Sequence, residues 1–160
     1  MTLSTADLSD QHHPNLQYVA PIFRAFGGKN TMAGQVKTIK CFEDNSLVRE
    51  TLSTAGCNRI LVVDAGGSKR CAMLGDMIAE LAVNNQWQGV LMYGLIRDAR
   101  AIANMDLGVW ALGTLPLKSV KLGVGQSDLT VHFGGVHIAP NDYLYADEDG
   151  ILISNQNLSL

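Results

Sequence analysis

Three short runs of consecutive apolar residues, each followed by glycine or polar residues, constrain the fold of this chain most. They are residues 59–64 (RILVVD), residues 89–93 (GVLMY) and residues 109–112 (VWAL). Uninterrupted apolar runs of this length are typical of parallel strands that are buried on both faces of a sheet. The three runs therefore predict the central strands of an α/β fold.

Helix-forming segments separate these runs. Residues 71–87 predict a helix that leads into the second run, and residues 99–105 predict a shorter helix before the third. Upstream, residues 34–40 have the alternation of a strand, and residues 43–46 supply N-cap candidates for a further helix that runs to Ala55. Residues 1–30 predict irregular or weakly helical structure. The alternation of strands and helices indicates α/β units around a largely parallel sheet.

Beyond Pro116 the sequence changes to short strands and tight turns. Residues 130–133 and 136–138 flank Gly134-Gly135, which is the pattern of a hairpin. We therefore expect a β-rich C-terminal third. No internal repeat, proline-rich linker or low-complexity block divides the chain, and 160 residues is a common length for one domain. Residues 1–160 are therefore predicted to form a single α/β domain.

The charge composition limits the partners of the chain. Twelve Lys and Arg against fifteen Asp and Glu give a formal net charge of −3, and no basic run exceeds two residues. Because proteins that follow a phosphate backbone need a basic surface, we expect no direct nucleic-acid binding. Charged residues make up 17% of the chain, against about 25% in an average domain. This low fraction predicts a surface that is partly covered by other copies of the chain.

Targeting features and cysteine usage favour the cytoplasm. The longest strongly apolar stretch, residues 89–96, is interrupted by Arg97, whereas a membrane span needs about twenty residues. Residues 1–13 lack the basic and apolar regions of a secretory signal. The three cysteines have no metal-binding spacing, and their odd number suits a reducing compartment. We expect a cytoplasmic protein with no membrane association.

Several common catalytic motifs are missing from the sequence. The glycines after residue 64 match neither GxxxxGK[ST] nor GxGxxG, so nucleotide binding is not indicated. No GxSxG nucleophile elbow and no helical zinc-binding histidine pair occur. Whether His132 and His137 share one face of the predicted hairpin stays open, because Gly134-Gly135 interrupts the alternation.

The ends of two predicted strands carry the residues best suited to chemistry. In parallel α/β sheets, ligands bind where the carboxyl ends of the strands converge. Here those ends are residues 64–68 (DAGGS) and 94–98 (GLIRD). Between them, Gly75 and Asp76 lie at a predicted helix entry, whose free N–H groups and positive dipole attract a carboxylate or phosphate. Many glycines lie at predicted element ends, and we expect several of those ends to line one cleft; these glycines are Gly66, Gly67, Gly75, Gly94, Gly134 and Gly135.

The charged residues of this region allow two interpretations each. Asp76 can be the N-cap of its helix. Arg97 and Asp98 can form a surface ion pair, or Asp98 can cap a helix that begins at Ala99. In the functional alternative, Arg97 binds an anionic substrate and Asp98 holds a hard divalent cation through its oxygens.

Seven segments in the same order along the chain carry a resemblance to a known family. They are FGG (26–28), GQVKTIKCFEDN (34–45), VVDAGGS (62–68), LGD (74–76), YGLIRD (93–98), FGGV (133–136) and YADEDG (145–150). With these segments the chain resembles the RraA-like and class II 4-hydroxy-4-methyl-2-oxoglutarate aldolase family over nearly its whole length. The resemblance implies a layered α/β/β sandwich similar to the swivelling phosphohistidine domain. It also implies a homotrimer whose site lies between subunits.

Two functions follow from the resemblance. One is a metal-dependent lyase that cleaves 4-hydroxy-4-methyl-2-oxoglutarate to two pyruvates and decarboxylates oxaloacetate, in both cases through a pyruvate enolate. The alternative is a regulator that binds ribonuclease E and inhibits RNA cleavage without catalysis. We favour the enzyme, because a pure inhibitor has no evident need for Gly75-Asp76.

The aldolase motif of the family assigns roles to single residues. It consists of Asp, twenty intervening residues, Arg-Asp and, after two more residues, an acidic residue; the chain has Asp76, Arg97 and Asp98 but ends the motif with Ala101. The resemblance implies that Asp76 and Arg97 are catalytic, that Arg97 holds the keto oxygen, and that Asp98 binds Mg²⁺ or Mn²⁺. Weaker metal retention or slower turnover is expected from Ala101. The substrate carboxylate would be held by the backbone of Gly75, Asp76, Met77 and Ile78.

Overall fold

The buried apolar runs lie at the centre of a ten-stranded sheet. The computed structural model describes residues 2–160. Its helices are α1 (Thr5–His12), α2 (Ser46–Leu52), α3 (Asp76–Asn84) and α4 (Ala99–Ile102). Its strands are β1 (Gln17–Tyr18), β2 (Arg24–Ala25), β3 (Met32–Lys40), β4 (Ile60–Asp64), β5 (Ala72–Leu74), β6 (Gly89–Ile96), β7 (Gly108–Thr114), β8 (Gln126–Ser127), β9 (Val131–Phe133), β10 (Val136–Ile138), β11 (Tyr143–Asp147) and β12 (Gly150–Ser154).

The centre of the sheet is parallel, as the apolar runs predict. Strands β3, β4, β6 and β7 are neighbours in this order and run parallel, and β5 pairs parallel with the end of β6. Antiparallel strands extend both sides: β11, β12 and β1 continue from β3, and β2 pairs with β7. Each of the three apolar runs therefore forms a strand with neighbours on both sides.

Alternate residues of the central strands face two different layers. Leu61 and Val63 of β4 pack in one apolar cluster with residues of α2 and α3. Ile60 and Val62 pack in another with the β9–β10 hairpin and with β11 and β12. All four side chains are fully buried, and each such burial contributes about 1.5–3 kcal/mol. Helices, central sheet and hairpin thus form three layers, which confirms the predicted α/β/β arrangement and the β-rich C-terminal third.

The helix predicted over residues 71–87 is wrong at its start. Ala72–Leu74 form β5, and the helix begins only at Asp76. The whole of β5 is buried, and the N–H of Ala72 donates to the carbonyl of Leu117 at 2.7 Å. A short run that is apolar at every position has no periodicity to separate a strand from a buried helix turn. Residues 72–74 form a strand because they contact the segment after β7, which is distant in sequence.

The N-terminal residues form a helix that is tied to the sheet. The hydroxyl of Ser4 accepts a hydrogen bond from the N–H of Asp7 and caps α1. The N–H and hydroxyl of Thr5 donate to the carboxylate of Asp147 in β11, at 2.7 and 2.6 Å. Among residues 2–160, no helix is both long enough and apolar enough to cross a membrane.

Candidate active site

A cavity of about 230 Å³ opens at the edge of the sheet where the parallel strands end. Gly75 follows the end of β5, Arg97 follows the end of β6, and Lys118 lies beyond the end of β7. Because parallel strands place their carboxyl ends at the same edge, these segments meet there. The cavity is lined by Asn45, Arg49, Ala72, Gly75, Asp76, Met77, Ile78, Arg97, Asp98, Lys118 and Lys121.

All the residues that the aldolase motif assigns to substrate and metal lie together in this cavity. These residues are Gly75, Asp76, Met77, Ile78, Arg97 and Asp98. Their chemical roles stay predictions, whereas their convergence is a feature of the structure. Ala101, the position at which the chain departs from the motif, is exposed on α4 and is not among the lining residues.

The start of α3 differs from the expectation that Asp76 is its N-cap. Gly75 is the N-cap, with extended backbone, and Asp76 is the first helical residue. The cap is supplied from another element, because the N–H of Asp76 donates to Oδ2 of Asp98 at 3.0 Å. The next N–H groups, those of Met77 and Ile78, have no intrahelical partner and point to the N-terminal end of the helix. This arrangement leaves hydrogen-bond donors for an anion beside Asp98.

Gly75 is needed for the close approach of the charged pair. A Cβ atom at this position would lie 2.9 Å from Oδ2 of Asp98 and 3.4 Å from Nε of Arg97. The backbone conformation at Gly75 (φ −127°) is accessible to any residue. The glycine therefore serves the packing of the site and not a special backbone geometry.

Arg97 and Asp98 are held at the site by backbone and side-chain contacts. The N–H of Arg97 donates to the carbonyl of Leu74 at 2.9 Å, and its Nη1 donates to the carbonyl of Pro116 at 3.4 Å. Nε of Arg97 lies 4.0 Å from Oδ2 of Asp98, and both side chains are partly exposed. These long contacts leave the guanidinium with donors that are free for a ligand.

Asp98 lies at the N-cap position of the helix that follows it, but its side chain does not cap that helix. Its backbone is left-handed (φ 56°), and its side chain makes no capping bond to α4. The carboxylate instead turns to the start of α3. The expectation that Asp98 caps a helix at Ala99 is therefore confirmed for its position, since its carbonyl accepts from the N–H of Ile102 at 3.0 Å, but not for its side chain. A surface ion pair does not describe Asp98 fully either, because its carboxylate joins two elements of the cavity.

The oxygens of Asp98 fit a hard divalent cation. Oδ2 accepts the hydrogen bond from Asp76, and no hydrogen bond among residues 2–160 engages Oδ1. The same part of the chain contains no group of three or more His, Cys, Asp or Glu side chains placed to hold a metal. Mg²⁺ commonly binds through one or two carboxylates and completes its shell with water and substrate. Asp98 suits that mode of binding, and a cage built only of protein side chains is not formed here.

A segment that the sequence does not mark as part of the site forms a further portion of the wall. Lys118 and Lys121 lie on the irregular segment after β7, and Arg49 lies on α2. Ligands bind at the carboxyl ends of parallel strands, and the segment that follows the third apolar run lies at such an end. Asn45 follows the end of the parallel strand β3 and is the N-cap residue of α2, so the same argument points to it, whereas Arg49 lies inside α2 and carries no comparable signal.

Asp44 fixes this lysine-bearing segment. Its buried carboxylate accepts hydrogen bonds from the N–H groups of Leu122 and Val124, at 2.9 and 3.1 Å, and from the N–H and hydroxyl of Ser46. Burial raises the pKa of Asp44, but the hydrogen bonds from Ser46, Val124 and Leu122 outweigh it and lower the pKa to about 2. The carboxylate is therefore ionised at neutral pH and clamps the segment in place.

The glycine-rich loop after β4 does not belong to the cavity, contrary to expectation. Of the six glycines at element ends, only Gly75 lines it. A Cβ atom at Gly66 would meet the ring of Phe42, and one at Gly67 would meet the ring of Tyr93. Both glycines have positive φ, so they allow the loop to turn tightly against these rings.

The two histidines of the hairpin share one face. His132 and His137 are directly opposite each other in the β9–β10 pair, and their Nδ1 atoms are in contact. Both are exposed, and neither lines the cavity. Gly134-Gly135 forms a two-residue turn, which keeps the alternation of the two strands in register.

The fold and the cavity define an α/β protein with a cavity at the carboxyl ends of parallel strands, lined by four cationic side chains and by the start of a helix. The sequence model of the RraA-like family, described as Aldolase/RraA, matches residues 5–153. The chain therefore belongs to the Aldolase/RraA family.

Relatives and solved structures extend over almost the full chain. A protein of Aromatoleum aromaticum, provisionally named 4-hydroxy-4-methyl-2-oxoglutarate aldolase, is 51% identical over 99% of both chains. One of Azotobacter vinelandii with the same provisional name is 50% identical over 100% of this chain and 99% of its own. The structure of the RNA-processing inhibitor RraA from Thermus thermophilis superposes with a TM-score of 0.95 at 40% identity, covering 99% of this chain and 96% of that one.

Proposed function

We propose that the chain is a divalent-metal-dependent lyase that cleaves 4-hydroxy-4-methyl-2-oxoglutarate to two pyruvates and decarboxylates oxaloacetate. The observation that carries this proposal is the convergence of Gly75, Asp76, Arg97 and Asp98 in one cavity, although they come from two separate parts of the sequence. The provisional names of the relatives at about 50% identity support the same activity.

The residues of the cavity suit a 2-oxo acid. The N–H groups at the start of α3 bind the carboxylate next to the keto group, where the helix dipole also favours negative charge. The guanidinium of Arg97, beside them, donates to the keto oxygen. Asp98 would hold Mg²⁺ or Mn²⁺, which supplies Lewis-acid polarisation of that oxygen.

Both reactions place negative charge on the same oxygen. In the aldol cleavage the C4 hydroxyl gives its proton to water, C4 becomes the keto carbon of one pyruvate as the C3–C4 bond breaks, and the electron pair of that bond moves towards the C2 keto oxygen of the other. In oxaloacetate the C3–C4 bond breaks with loss of CO₂, and the electron pair takes the same path. Protonation of the enolate at C3 then gives pyruvate in each case. Arg97 stabilises the charge that develops on the oxygen, and removal of such a donor typically costs about 10²–10³ in rate.

The proposal is tested by oxaloacetate decarboxylation in Mg²⁺, measured above the background of the free metal. We expect turnover by the purified protein, its loss in EDTA, and a decrease of about 10²–10³ for Arg97→Ala. Arg100→Ala is the matched control, because Arg100 is exposed on α4 and does not line the cavity. An Arg97→Ala protein as active as the Arg100→Ala protein would overturn the proposal.

The homotrimer is proposed on the exposed apolar side chains around the cavity. Met77 is 69% exposed and Leu122 75%, and Leu117 and Val124 are exposed as well. Leu117, Leu122 and Val124 belong to the segment that carries Lys118 and Lys121 of the cavity wall, and exposed apolar side chains grouped in this way are candidates for a protein interface. Light scattering after size exclusion should give three times the chain mass of 17.2 kDa, and a monomer at micromolar concentration would contradict this assembly.

A cytoplasmic location is proposed on the state of the cysteines. Cys41, Cys57 and Cys71 are all free thiols, and two of them are buried. Free thiols are stable in a reducing compartment. Cell fractionation with the native chain tests the location.

A second candidate function is the inhibition of RNA processing through ribonuclease E. It is favoured by the 40% identity and the TM-score of 0.95 to the structure of the RNA-processing inhibitor RraA from Thermus thermophilis. Titration of the purified chain into ribonuclease E, with RNA cleavage as readout, tests it directly. Absence of both association and inhibition would remove this function, and the Arg97→Ala variant tests whether any inhibition is independent of the cavity.

A further inference from the structure

The hairpin of β9 and β10 carries two histidines that the proposed chemistry does not use. His132 and His137 are directly opposite each other across the two strands, and their Nδ1 atoms are in contact. Their ring centroids lie 4.5 Å apart, and the ring planes are at 86° to each other. Both side chains are exposed, and neither forms an ion pair within residues 2–160. Two ring nitrogens therefore converge on one position outside the cavity.

The backbone of the hairpin brings the two rings together. The N–H of His137 donates to Oε1 of Gln17 at 2.9 Å, and Nε2 of Gln17 donates to the carbonyl of His137 at 2.8 Å. Because these backbone groups point away from β9, His132 and His137 form a non-hydrogen-bonded pair of the antiparallel ladder. In such a pair the Cα atoms are about 4.5 Å apart and the side chains approach most closely.

The hairpin that presents the histidines is fixed to the rest of the fold. At its turn, the N–H of Ala20 donates to the carbonyl of Gly134 at 2.8 Å. The residues that alternate with the histidines are buried in the apolar cluster between the hairpin and the sheet; they are Val131, Phe133, Val136 and Ile138. The strands are therefore held in place, and only the two exposed rings have to turn when a ligand binds.

We propose that His132 and His137 bind a first-row transition-metal ion of the Zn²⁺, Ni²⁺ or Cu²⁺ class, at a site separate from the candidate active site. These ions bind imidazole nitrogen well, whereas Mg²⁺ prefers oxygen ligands. Around a tetrahedral Zn²⁺ with Zn–N bonds of about 2.0–2.1 Å, two ring nitrogens lie about 3.3 Å apart. Exposed rings that are already in contact reach this separation by small rotations about their side-chain bonds. The ring whose Nδ1 carries a proton in the contact binds as its other tautomer, with that proton on Nε2.

The affinity of the site should depend on both rings. Once the first imidazole has bound the ion, the second binds within the same molecule and at a high effective concentration, so loss of either ring should weaken binding about tenfold or more. Two histidines leave two positions of a tetrahedral shell for water, which makes this an open site. The inference is independent of the proposed lyase activity, because neither histidine lines the cavity.

Calorimetry with Zn²⁺ as the titrant tests the site. The buffer contains excess Mg²⁺ to occupy oxygen ligands, and the exposed thiol of Cys57 is first blocked with a maleimide, because thiolates also bind Zn²⁺. The proteins are the wild type, His132→Gln, His137→Gln and the matched control His12→Gln, which removes a histidine at the end of α1. We expect one Zn²⁺ per wild-type chain, binding weakened about tenfold or more in each hairpin variant, and a change of less than about twofold in the control.

NMR spectra of the four histidine rings locate the bound ion in the wild-type chain. Zn²⁺ should shift the ring signals of His132 and His137, which are identified as the signals missing from the two hairpin variants. The proposal is overturned if the wild type binds Zn²⁺ no more tightly than His132→Gln, if His12→Gln weakens binding as much as the hairpin variants do, or if Zn²⁺ shifts only other histidine rings. Thermal melts without metal show whether each variant is folded, and the wild-type spectra decide the outcome for a variant that is not.

Discussion

Replacement of Gly75 by alanine isolates the contact that joins Asp98 to the start of α3. The new Cβ atom lies 2.9 Å from Oδ2 of Asp98, whereas ordinary contacts of this kind begin at 3.4 Å. The carboxylate must therefore move by about 0.5 Å or rotate away. Since the backbone at Gly75 is extended, alanine adds no backbone strain, and the variant is expected to fold.

The size of the effect follows from the hydrogen bond that is displaced. Oδ2 of Asp98 accepts the N–H of Asp76 at 3.0 Å, and a hydrogen bond to a charged group contributes about 1.5–3 kcal/mol. If the carboxylate loses that position, the anchored orientation of Asp98 and the approach of Arg97 are lost with it. We expect kcat/KM for oxaloacetate to fall by about 10- to 100-fold, with little change in melting temperature.

Gly113→Ala is the control for this experiment. A Cβ atom at Gly113 in β7 would lie 3.5 Å from Leu95 and 3.7 Å from Arg24, which are ordinary contacts. Both variants are assayed for oxaloacetate decarboxylation over a range of Mg²⁺ concentrations, and both are melted. A Gly75→Ala protein that matches the Gly113→Ala protein within twofold in kcat/KM would refute the reasoning that the Asp98 contact organises the site.

Three further predictions concern groups around the site. Asp44→Asn should reduce the free energy of unfolding by about 1–3 kcal/mol at pH 6. Because the pKa of Asp44 is lowered from 3.8 to about 2, the difference in stability between the variant and the wild type should shrink as the pH falls from about 4 towards 2. Urea titrations at several pH values measure this difference. Burial raises the pKa of the Cys41 thiol to about 12, and Cys71 is also buried. The exposed thiol of Cys57 should therefore be the one that reacts quickly with a maleimide at pH 7, and all three thiols should react when the protein is denatured. Ala101→Asp should raise kcat/KM for oxaloacetate less than about threefold, because Ala101 does not line the cavity; an increase of about 10²-fold would place an acidic residue at this position among the charge-stabilising groups of the reaction.

The sequence predicts the parts of the fold that depend on local patterns. Continuous apolar runs mark β4, β6 and β7, and the Gly134-Gly135 turn marks the hairpin, because period and turn chemistry are local properties. Strand β5 and the cap of α3 are different. Ala72–Leu74 becomes a strand through contacts with β6 and Leu117, and Gly75 is the N-cap because Asp98 supplies the acceptor from another element. Such contacts between distant residues leave no periodicity to detect.

The residues of the candidate site also divide into those that the sequence indicates and those that it does not. Asp76, Arg97 and Asp98 are visible in the sequence because they follow apolar strands and match the spacing of a family motif. Lys118 and Lys121 lie in a segment without regular helix structure, and it is held at the cavity by contacts with distant residues, among them the hydrogen bonds of Asp44 and of Ala72. The end of the third apolar run indicates where this segment begins, but not that it folds back to place both lysines at the cavity.

The position of Ala101 explains how the chain can depart from the family motif without disturbing the cavity. Ala101 is the third residue of α4, and Asp98 is the residue before that helix. In this place an acidic side chain lies in the first turn, where it interacts favourably with the helix dipole and contributes about 0.3–1 kcal/mol. The carboxylate of Asp98 turns towards α3 and makes no capping bond to α4. The motif residues that line the cavity, Asp76, Arg97 and Asp98, are thus kept in this chain, and the altered position lies outside the lining.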